Sequence, residues 1–318
     1  MKFISIVVPI YNEAENVLHF AAAVKEVMEN SHYKWELLFI DDGSRDNSVQ
    51  IIRDLQRWEP QVKLIMLARN YGHQIALTCG LDSAQGDAVI TMDGDMQHPP
   101  ALIPVLLEKW EEGCKVVQTI RKDTEGVSWL KKETSRLYYR FINAMSTVEV
   151  YSGGSDFRLL DREAVEALRQ YREHDRFLRG MVSSLGFKRA EVPFVAPPRF
   201  AGKSKYNLGK MLKLATDGVV GFSVIPLRWA FYMGLVFALL SFLLLCHALW
   251  EYAQHQVVPG WTTIMVAMSM FGGIQLVIMG IIGEYVGRIF TEVKNRPLYF
   301  VKHNMDCDND EETHTKCG

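Results

Sequence analysis

The feature that most constrains the fold of this chain is a pair of long apolar runs toward its C-terminal end. The runs are WAFYMGLVFALLSFLLLCHALW (229–250) and WTTIMVAMSMFGGIQLVIMGIIG (261–283), and neither contains Asp, Glu, Lys or Arg. Each is long enough to cross the hydrocarbon layer as an α-helix, whereas a helix in a protein core rarely extends so far without a charge. The sequence therefore predicts a hairpin of two transmembrane helices.

The residues that flank the two runs predict their orientation. Arg228 precedes the first run and Arg288, Lys294 and Arg296 follow the second, while the connecting turn 251–260 has no Lys or Arg. The ends of the runs carry interfacial aromatic residues: Trp229, Trp250, Tyr252, Trp261 and Tyr285. By the positive-inside rule, we expect a multi-pass protein of the cytoplasmic (inner) membrane with both termini and the preceding domain in the cytoplasm. Glu284 is expected to pair with Arg288, four residues later on the same helix face.

The first part of the chain alternates short β-rich apolar runs with amphipathic stretches of helical length. In order, these segments are 4–8, 14–28, 36–40, 48–58, 62–67, 75–84 and 88–92. This order, βαβαβαβ, predicts an α/β domain with a mainly parallel sheet and helices on both faces. Polar clusters follow the predicted strands at 9–13, 41–46, 69–73 and 93–97. Because ligands bind at the carboxyl ends of the strands in such sheets, these clusters predict a binding site.

Two carboxylates in the stretch TMDGDMQHPP (91–100) indicate the chemistry of that site. If the preceding strand continues, Asp93 and Asp95 point to the same side of it and repel each other. A cation such as Mg²⁺ or Mn²⁺, which prefers hard oxygen ligands, would relieve that repulsion. The alternative is a solvated turn, in which Asp, Gly and Pro are all common. His98, before two prolines, is expected to be a turn residue, with a weak role near the metal as the alternative. The convergence of polar clusters on one edge favours the metal.

Composition limits the remaining possibilities. With 318 residues, 48% of them hydrophobic, the chain can form one large domain and a further part. A net charge of -2 gives no electrostatic case for nucleic-acid binding. The scattered cysteines predict free thiols rather than a disulfide framework or a zinc site: Cys79, Cys114, Cys246, Cys307 and Cys317. The apolar N-terminal run is too short for a secretory signal.

The sequence divides into four parts at these features. Residues 1–205 form the α/β domain, and 206–228 repeat apolar residues at helical spacing, as in a helix lying in the membrane interface. An ordinary surface helix is the alternative for that second part. Residues 229–288 contain the hairpin, and 289–318 form a cytoplasmic tail whose acidic end is expected to be disordered.

Seven motifs in this order resemble the polyisoprenyl-phosphate glycosyltransferases, which belong to the family-two glycosyltransferases of GT-A fold and include bactoprenol glucosyltransferase and dolichol-phosphate mannose synthase. The motifs are VVPIYNE (7–13), DDGSRD (41–46), RNYGHQIAL (69–77), MDGDMQHPP (92–100), GSDFRLLDR (154–162), RFAGKSKY (199–206) and GEYVGRIFTEVKNRP (283–297). The resemblance extends over nearly the whole chain and stops at the acidic tail. One departure is Gly94, where the family has Ala in its DXD motif, and Gly leaves the two carboxylates in place.

The resemblance implies a role for each site residue. Those holding the base and ribose of a nucleotide sugar would be Pro9, Tyr11, Glu13 and Asp42. The metal site that carries the diphosphate would consist of Asp93, Asp95 and Gln97, and Arg121 would contact the donor or acceptor phosphate. Asp156 would lie opposite the anomeric carbon, the usual position of the catalytic base, and acts in catalysis together with Asp95. The phosphate of a lipid acceptor would be held by Arg199, Lys203 and Lys205, although this cluster also suits anionic lipid headgroups.

By the same resemblance, the expected reaction is an inverting, metal-dependent transfer of a hexose to a polyprenyl phosphate, with Mg²⁺ or Mn²⁺ as cofactor. The expected substrates are UDP-glucose and undecaprenyl phosphate at the cytoplasmic membrane face. The product would be a lipid-linked sugar donor for cell-envelope glycan modification, such as that of lipopolysaccharide or O-antigen. The resemblance also implies a homo-oligomer, a downstream flippase and a second glycosyltransferase.

Three alternatives remain open from the sequence. The sugar is the least determined part, because mannose, N-acetylglucosamine or an aminopentose would use the same chemistry. A processive polysaccharide synthase is disfavoured because Gln56, Arg57 and Trp58 have the wrong spacing for its QxxRW motif. A membrane-anchored, non-catalytic nucleotide-sugar binder would need neither Asp156 nor the basic cluster, and it would transfer no sugar to a lipid phosphate.

Overall fold

A computed structural model describes residues 1–122, 154–195, 225–253 and 260–302. Within these ranges the chain divides into two compact units. The first contains residues 1–122 and 154–195 together with 297–302, and the second contains 225–253 and 260–296. The structure does not describe residues 206–224 of the expected interfacial helix (206–228) or the acidic tail after 302. The basic residues Arg199, Lys203 and Lys205 also lie outside the described residues.

The first unit alternates strands and helices as the sequence predicts. Its strands are β1 (Phe3–Ile10), β2 (Lys34–Asp41), β3 (Val62–Met66), β4 (Ala88–Thr91), β5 (Val116–Lys122), β6 (Gly154–Asp161) and β7 (Arg189–Val195). Its helices are α1 (Ala14–Glu29), α2 (Ser48–Gln56), α3 (His73–Ser83), α4 (Ile103–Glu111), α5 (Arg162–Gln170) and α6 (Leu178–Ser184). A 3₁₀ turn, Pro100–Leu102, leads into α4.

The strands form one mixed sheet in the order β3-β2-β1-β4-β6-β5-β7. The pairs β1 with β2, β1 with β4, β2 with β3 and β5 with β7 are parallel. Strand β6 runs antiparallel between β4 and β5. The prediction of an α/β fold with a mainly parallel sheet is confirmed, and the reversal occurs at β6, which carries Asp156.

Burial on both faces explains the nearly continuous apolar sequence of the central strands. In β1, every residue from Ile4 to Ile10 is buried. Helix α3 packs so closely on this strand that a Cβ on Gly80 would lie 2.1 Å from Val7 Cγ1. Gly80 therefore permits the contact that holds α3, and with it His73 at its first turn, against the sheet.

The second unit consists of helices α7 (Ile225–Ala253) and α8 (Trp261–Val293). The rings of Phe237 and Phe271 meet edge to face with centroids 6.1 Å apart. Among the residues described, the stretch Met270–Val293 is long and apolar enough to cross a membrane, and Leu227–Leu243 is a shorter apolar stretch. Exposed side chains such as Leu235 and Leu276 suit contact with lipid.

The structure also bears on the predicted ion pair, the cysteines and the helix bounds. Arg288 Nε lies 3.2 Å from Glu284 Oε1, so the expected pair on α8 is present. Cys79, Cys114 and Cys246 are free thiols. Helix α7 begins at Ile225 and α8 continues to Val293, so both helices extend beyond the predicted apolar runs.

Candidate functional site

A cavity of about 520 Å³ lies at the carboxyl ends of β1, β2 and β3. Its lining includes Tyr11, Asp41, Arg69 and, unexpectedly, Lys302. Of the other residues predicted to bind the nucleotide, Pro9 is buried within β1. Glu13 precedes α1, and its Oε2 accepts a hydrogen bond from Asn16 Nδ2 at 2.7 Å.

Asp42 holds the loop that leads into α3. Its Oδ1 accepts from the backbone N–H of Tyr71 at 2.7 Å, and its Oδ2 accepts from that of Gly72 at 2.9 Å. Burial raises the pKa of Asp42 even though these two amides favour its ionised form. Gly43 follows with φ +72°, and a Cβ there would lie 2.8 Å from Asn70 N. The loop after β2 is therefore tied to the loop that leads into α3. A role for Asp42 in base binding stays a prediction.

The DXD motif lies in a loop rather than in a strand. Because β4 ends at Thr91, the expected strand alternation does not apply to Asp93 and Asp95. The loop instead turns through Met96, whose φ is 63°, and Gln97 N donates to Asp95 Oδ1 at 3.1 Å. The directions of the Asp93 and Asp95 side chains therefore depend on this turn and not on the alternation of side chains along a strand.

The atoms of this loop fit a cation. Within the described part of the chain, Asp93 Oδ1 is buried and accepts no hydrogen bond, although His73 Nε2 lies 3.4 Å from it, so its lone pairs can still coordinate a ligand. No group of three or more His, Cys, Asp or Glu side chains in that part could hold a metal alone. Mg²⁺ commonly binds through one or two carboxylates and completes its shell with substrate phosphates and water. Asp93 and Asp95 match that kind of site.

His98 lies in a bend, as expected, and its ring also ties this loop to β6. Its Nδ1 accepts from Asp93 N at 2.8 Å, and its Nε2 lies 2.7 Å from Ser155 Oγ. With Nδ1 accepting, Nε2 carries the proton and donates to the hydroxyl. The ring is buried and stacks on Phe157 with centroids 5.3 Å apart. His98 thus connects Asp93 to the residue next to Asp156.

Asp156 is buried at the centre of a charged cluster. Its Oδ1 accepts from Arg158 Nη2 at 2.6 Å and from Arg179 Nε at 3.1 Å, and its Oδ2 accepts from Arg179 Nη2 at 3.1 Å. Burial by itself would raise the pKa of this carboxyl, but Arg179, His73 and Arg158 outweigh it and hold the pKa well below its usual value. Such a carboxylate is a weak proton acceptor.

His73 lies between the DXD carboxylate Asp93 and the buried carboxylate Asp156. Its Nε2 lies 3.4 Å from Asp93 Oδ1 and 3.6 Å from Asp156 Oδ2. Desolvation lowers the pKa of His73, but the two carboxylates outweigh it and raise the pKa to about 9. In the absence of a bound cation, the His73 imidazole between Asp93 and Asp156 is therefore protonated at neutral pH.

The sequence motifs do not indicate Arg158, Arg179 or Lys302 as residues of the site. Arg158 could have been found, because it lies two residues after Asp156 on the same face of β6. Arg179 is on α6, and Lys302 follows the hairpin, so neither is near a recognised motif of the site. Arg121 is exposed on β5, and its phosphate-binding role stays a prediction.

Comparison with known proteins agrees with this architecture. Residues 5–169 match the domain described as Glycosyl transferase family 2, and residues 225–289 match the GtrB C-terminal hairpin. The uncharacterized glycosyltransferase YkcC of Bacillus subtilis (strain 168) is 42% identical over 96% of this chain and 95% of its own length. The bactoprenol glucosyl transferase of Shigella phage SfII is 40% identical over 94% of this chain and 97% of its own.

A homologue in Escherichia coli (strain K12), named a prophage bactoprenol glucosyl transferase homolog, is 37% identical over 94% of this chain and 98% of its own length. The alignments extend over nearly the whole length of this chain and of each relative, so they include both the catalytic domain and the hairpin. The resemblance inferred from the seven motifs is confirmed. The chain is a glycosyltransferase of GT-A fold that belongs to glycosyl transferase family 2 and carries the GtrB C-terminal hairpin.

Proposed function

We propose that this enzyme transfers glucose from UDP-glucose to undecaprenyl phosphate at the cytoplasmic face of the membrane, with inversion at the anomeric carbon. The observation that carries the proposal is the junction at His73, which brings the DXD carboxylate Asp93 next to the buried Asp156. The names of the bactoprenol glucosyl transferases support the sugar and the lipid acceptor.

The donor would extend from the cavity beside Tyr11 to the DXD loop. Asp93 and Asp95, with Gln97 beside them, would hold Mg²⁺ or Mn²⁺ against the diphosphate. A divalent cation bound there would stabilise the negative charge that develops on the leaving nucleoside diphosphate. His98 keeps the backbone of Asp93 in place for this contact.

The acceptor needs little help from a base. An oxygen of the lipid phosphate attacks the anomeric carbon, the bond from that carbon to the diphosphate oxygen breaks, and UDP leaves. A phosphate monoester has a second pKa of about 6, so it is already largely ionised near neutral pH. The low pKa of Asp156 and its two guanidinium partners suit a role in which the carboxylate orients the site rather than one in which it removes a proton.

We further propose that Arg199, Lys203 and Lys205 hold the lipid phosphate, because these basic residues directly precede the stretch expected to lie in the membrane interface. Charge-assisted hydrogen bonds to phosphate contribute roughly 1.5 to 3 kcal/mol each.

A panel of donors tests the proposal. The purified full-length chain is incubated with undecaprenyl phosphate, Mg²⁺ and one labelled donor at a time: UDP-glucose, UDP-N-acetylglucosamine, GDP-mannose or a UDP-aminopentose. We expect label in the lipid phase from UDP-glucose. Transfer from another donor instead would change the assigned sugar. Binding of UDP-glucose without transfer from any donor would favour the non-catalytic binder.

A further inference from the structure

The segment after the hairpin, residues 297–302, pairs with the edge strand of the catalytic unit. Val301 forms an antiparallel bridge with Leu67, just past the end of β3. The backbone N–H of Ala68 donates to Phe300 O at 2.8 Å, and the N–H of Lys302 donates to Met66 O at 2.7 Å. We call residues 297–302 the clasp.

A side-chain contact fixes the clasp at a second point. Tyr299 OH donates to Asp82 Oδ2, near the end of α3, at 3.0 Å. Arg172 Nη1 also donates to Asp82 Oδ2, at 2.8 Å. Burial raises the pKa of Tyr299, so the hydroxyl keeps its proton and remains a donor. The clasp is therefore held to both the sheet edge and a helix of the same unit.

This pairing places Lys302 on the lining of the cavity at the ends of β1 to β3. The two carboxylates of the lining already accept hydrogen bonds from nearby backbone: Asp41 from Ser44 N at 3.1 Å and Asp46 from Ala14 N at 3.1 Å. The cationic side chains of the lining are Arg45, Arg53, Arg69 and Lys302. Cations outnumber carboxylates there, which favours a ligand that presents anionic or carbonyl oxygens.

We propose that the clasp completes the donor-binding site and that Lys302 donates a hydrogen bond to an oxygen of the bound nucleotide. This inference rests on the proposed nucleotide-sugar function. The ammonium group can only donate, so its partner is a carbonyl oxygen of the base or an oxygen of the phosphates. The chain segment that follows the membrane hairpin thus contributes directly to the substrate site.

The test measures binding of uridine and UDP to the full-length chain in detergent by calorimetry. Lys302→Met keeps the backbone pairing and the aliphatic stem but removes the charge. We expect it to weaken UDP binding about tenfold, as befits loss of one charge-assisted hydrogen bond. Lys302→Arg should recover most of the affinity. Lys294→Met, which removes a similar charge from the end of α8, is the matched control and should bind UDP as the parent chain does.

Comparison of uridine with UDP shows which part of the nucleotide Lys302 contacts. An equal loss for uridine and UDP assigns Lys302 to the base, whereas a loss for UDP alone assigns it to the phosphates. Unchanged UDP affinity in Lys302→Met, or an equal loss in Lys294→Met, would overturn the inference while leaving the proposed function intact. If the parent chain binds neither UDP nor UDP-glucose, the proposed function fails and this inference fails with it.

Discussion

At the scale of single residues, the charge of Asp156 is balanced by two guanidinium groups, and Arg158 is only 3% exposed. Removing one partner of a buried ion pair leaves the other without its counter-charge, which destabilises a fold more than the pair itself stabilises it. Asp156 is therefore expected to contribute to folding as well as to its proposed role in chemistry, and a loss of activity in its variants would have two causes to separate.

We predict that Asp156→Asn lowers the free energy of unfolding by about 3 kcal/mol or more, because Arg158 is left buried and unbalanced. The double variant Asp156→Asn with Arg158→Met should recover a substantial part of that loss. Urea unfolding of the full chain in detergent, followed by tryptophan fluorescence, measures both. A single variant as stable as the parent chain would show that the cluster does not support the fold.

His98 contacts Asp93 and Ser155, so an effect on the position of the proposed site should appear in turnover. Phe at this position keeps the stacking on Phe157 but removes both hydrogen bonds of the imidazole. We expect His98→Phe to reduce kcat about tenfold or more, because small misplacements of catalytic groups have effects of that size. His98→Asn, whose carbonyl can accept from Asp93 N, should recover part of the rate. Normal turnover in His98→Phe would exclude a positioning role.

At the scale of elements, the local patterns were predictable and the long-range contacts were not. The sequence indicates a helix over 14–28, and α1 covers Ala14–Glu29, because the spacing of apolar residues determines both. The DXD loop is different, since its strand ends earlier than expected and His98, although it lies in a bend, is buried. The side chain of Arg179 reaches Asp156 from another element, and no local pattern signals such a contact.

The clasp is a further element that sequence periodicity does not reveal. It is short, and it forms only by pairing with residues just after β3, which are distant in sequence. In the first unit it covers an edge that would otherwise expose unpaired backbone groups. Its hydrogen bonds are therefore expected to protect that edge from solvent.

Hydrogen exchange tests this protection. In a chain that ends at Arg296, peptides spanning 62–70 should exchange faster than in the full chain, because the N–H of Ala68 loses its acceptor on Phe300. Peptides from β1, which lies inside the sheet, should be unaffected and serve as the control. Equal exchange at 62–70 in both chains would mean that the clasp does not stay paired in solution.

At the scale of the whole molecule, the absence of Lys and Arg between the two hairpin helices predicts the topology. Reporter domains fused at residue 1 and after residue 303 should both be active in the cytoplasm. A reporter inserted in the turn 254–259 should be active only on the side of the membrane opposite the cytoplasm. A C-terminal reporter that is active outside the cytoplasm would contradict the two-span hairpin.

Glucose transfer to a lipid phosphate is proposed to depend on the DXD carboxylates. The most direct test compares the parent chain with Asp95→Asn in a single-turnover assay, following label from UDP-glucose into undecaprenyl phosphate with and without Mg²⁺. We predict rapid transfer by the parent chain that EDTA abolishes, and almost none by a folded Asp95→Asn. Transfer by Asp95→Asn at the parent rate, or transfer that persists in EDTA, would show that the reaction does not depend on a metal held by the DXD carboxylates.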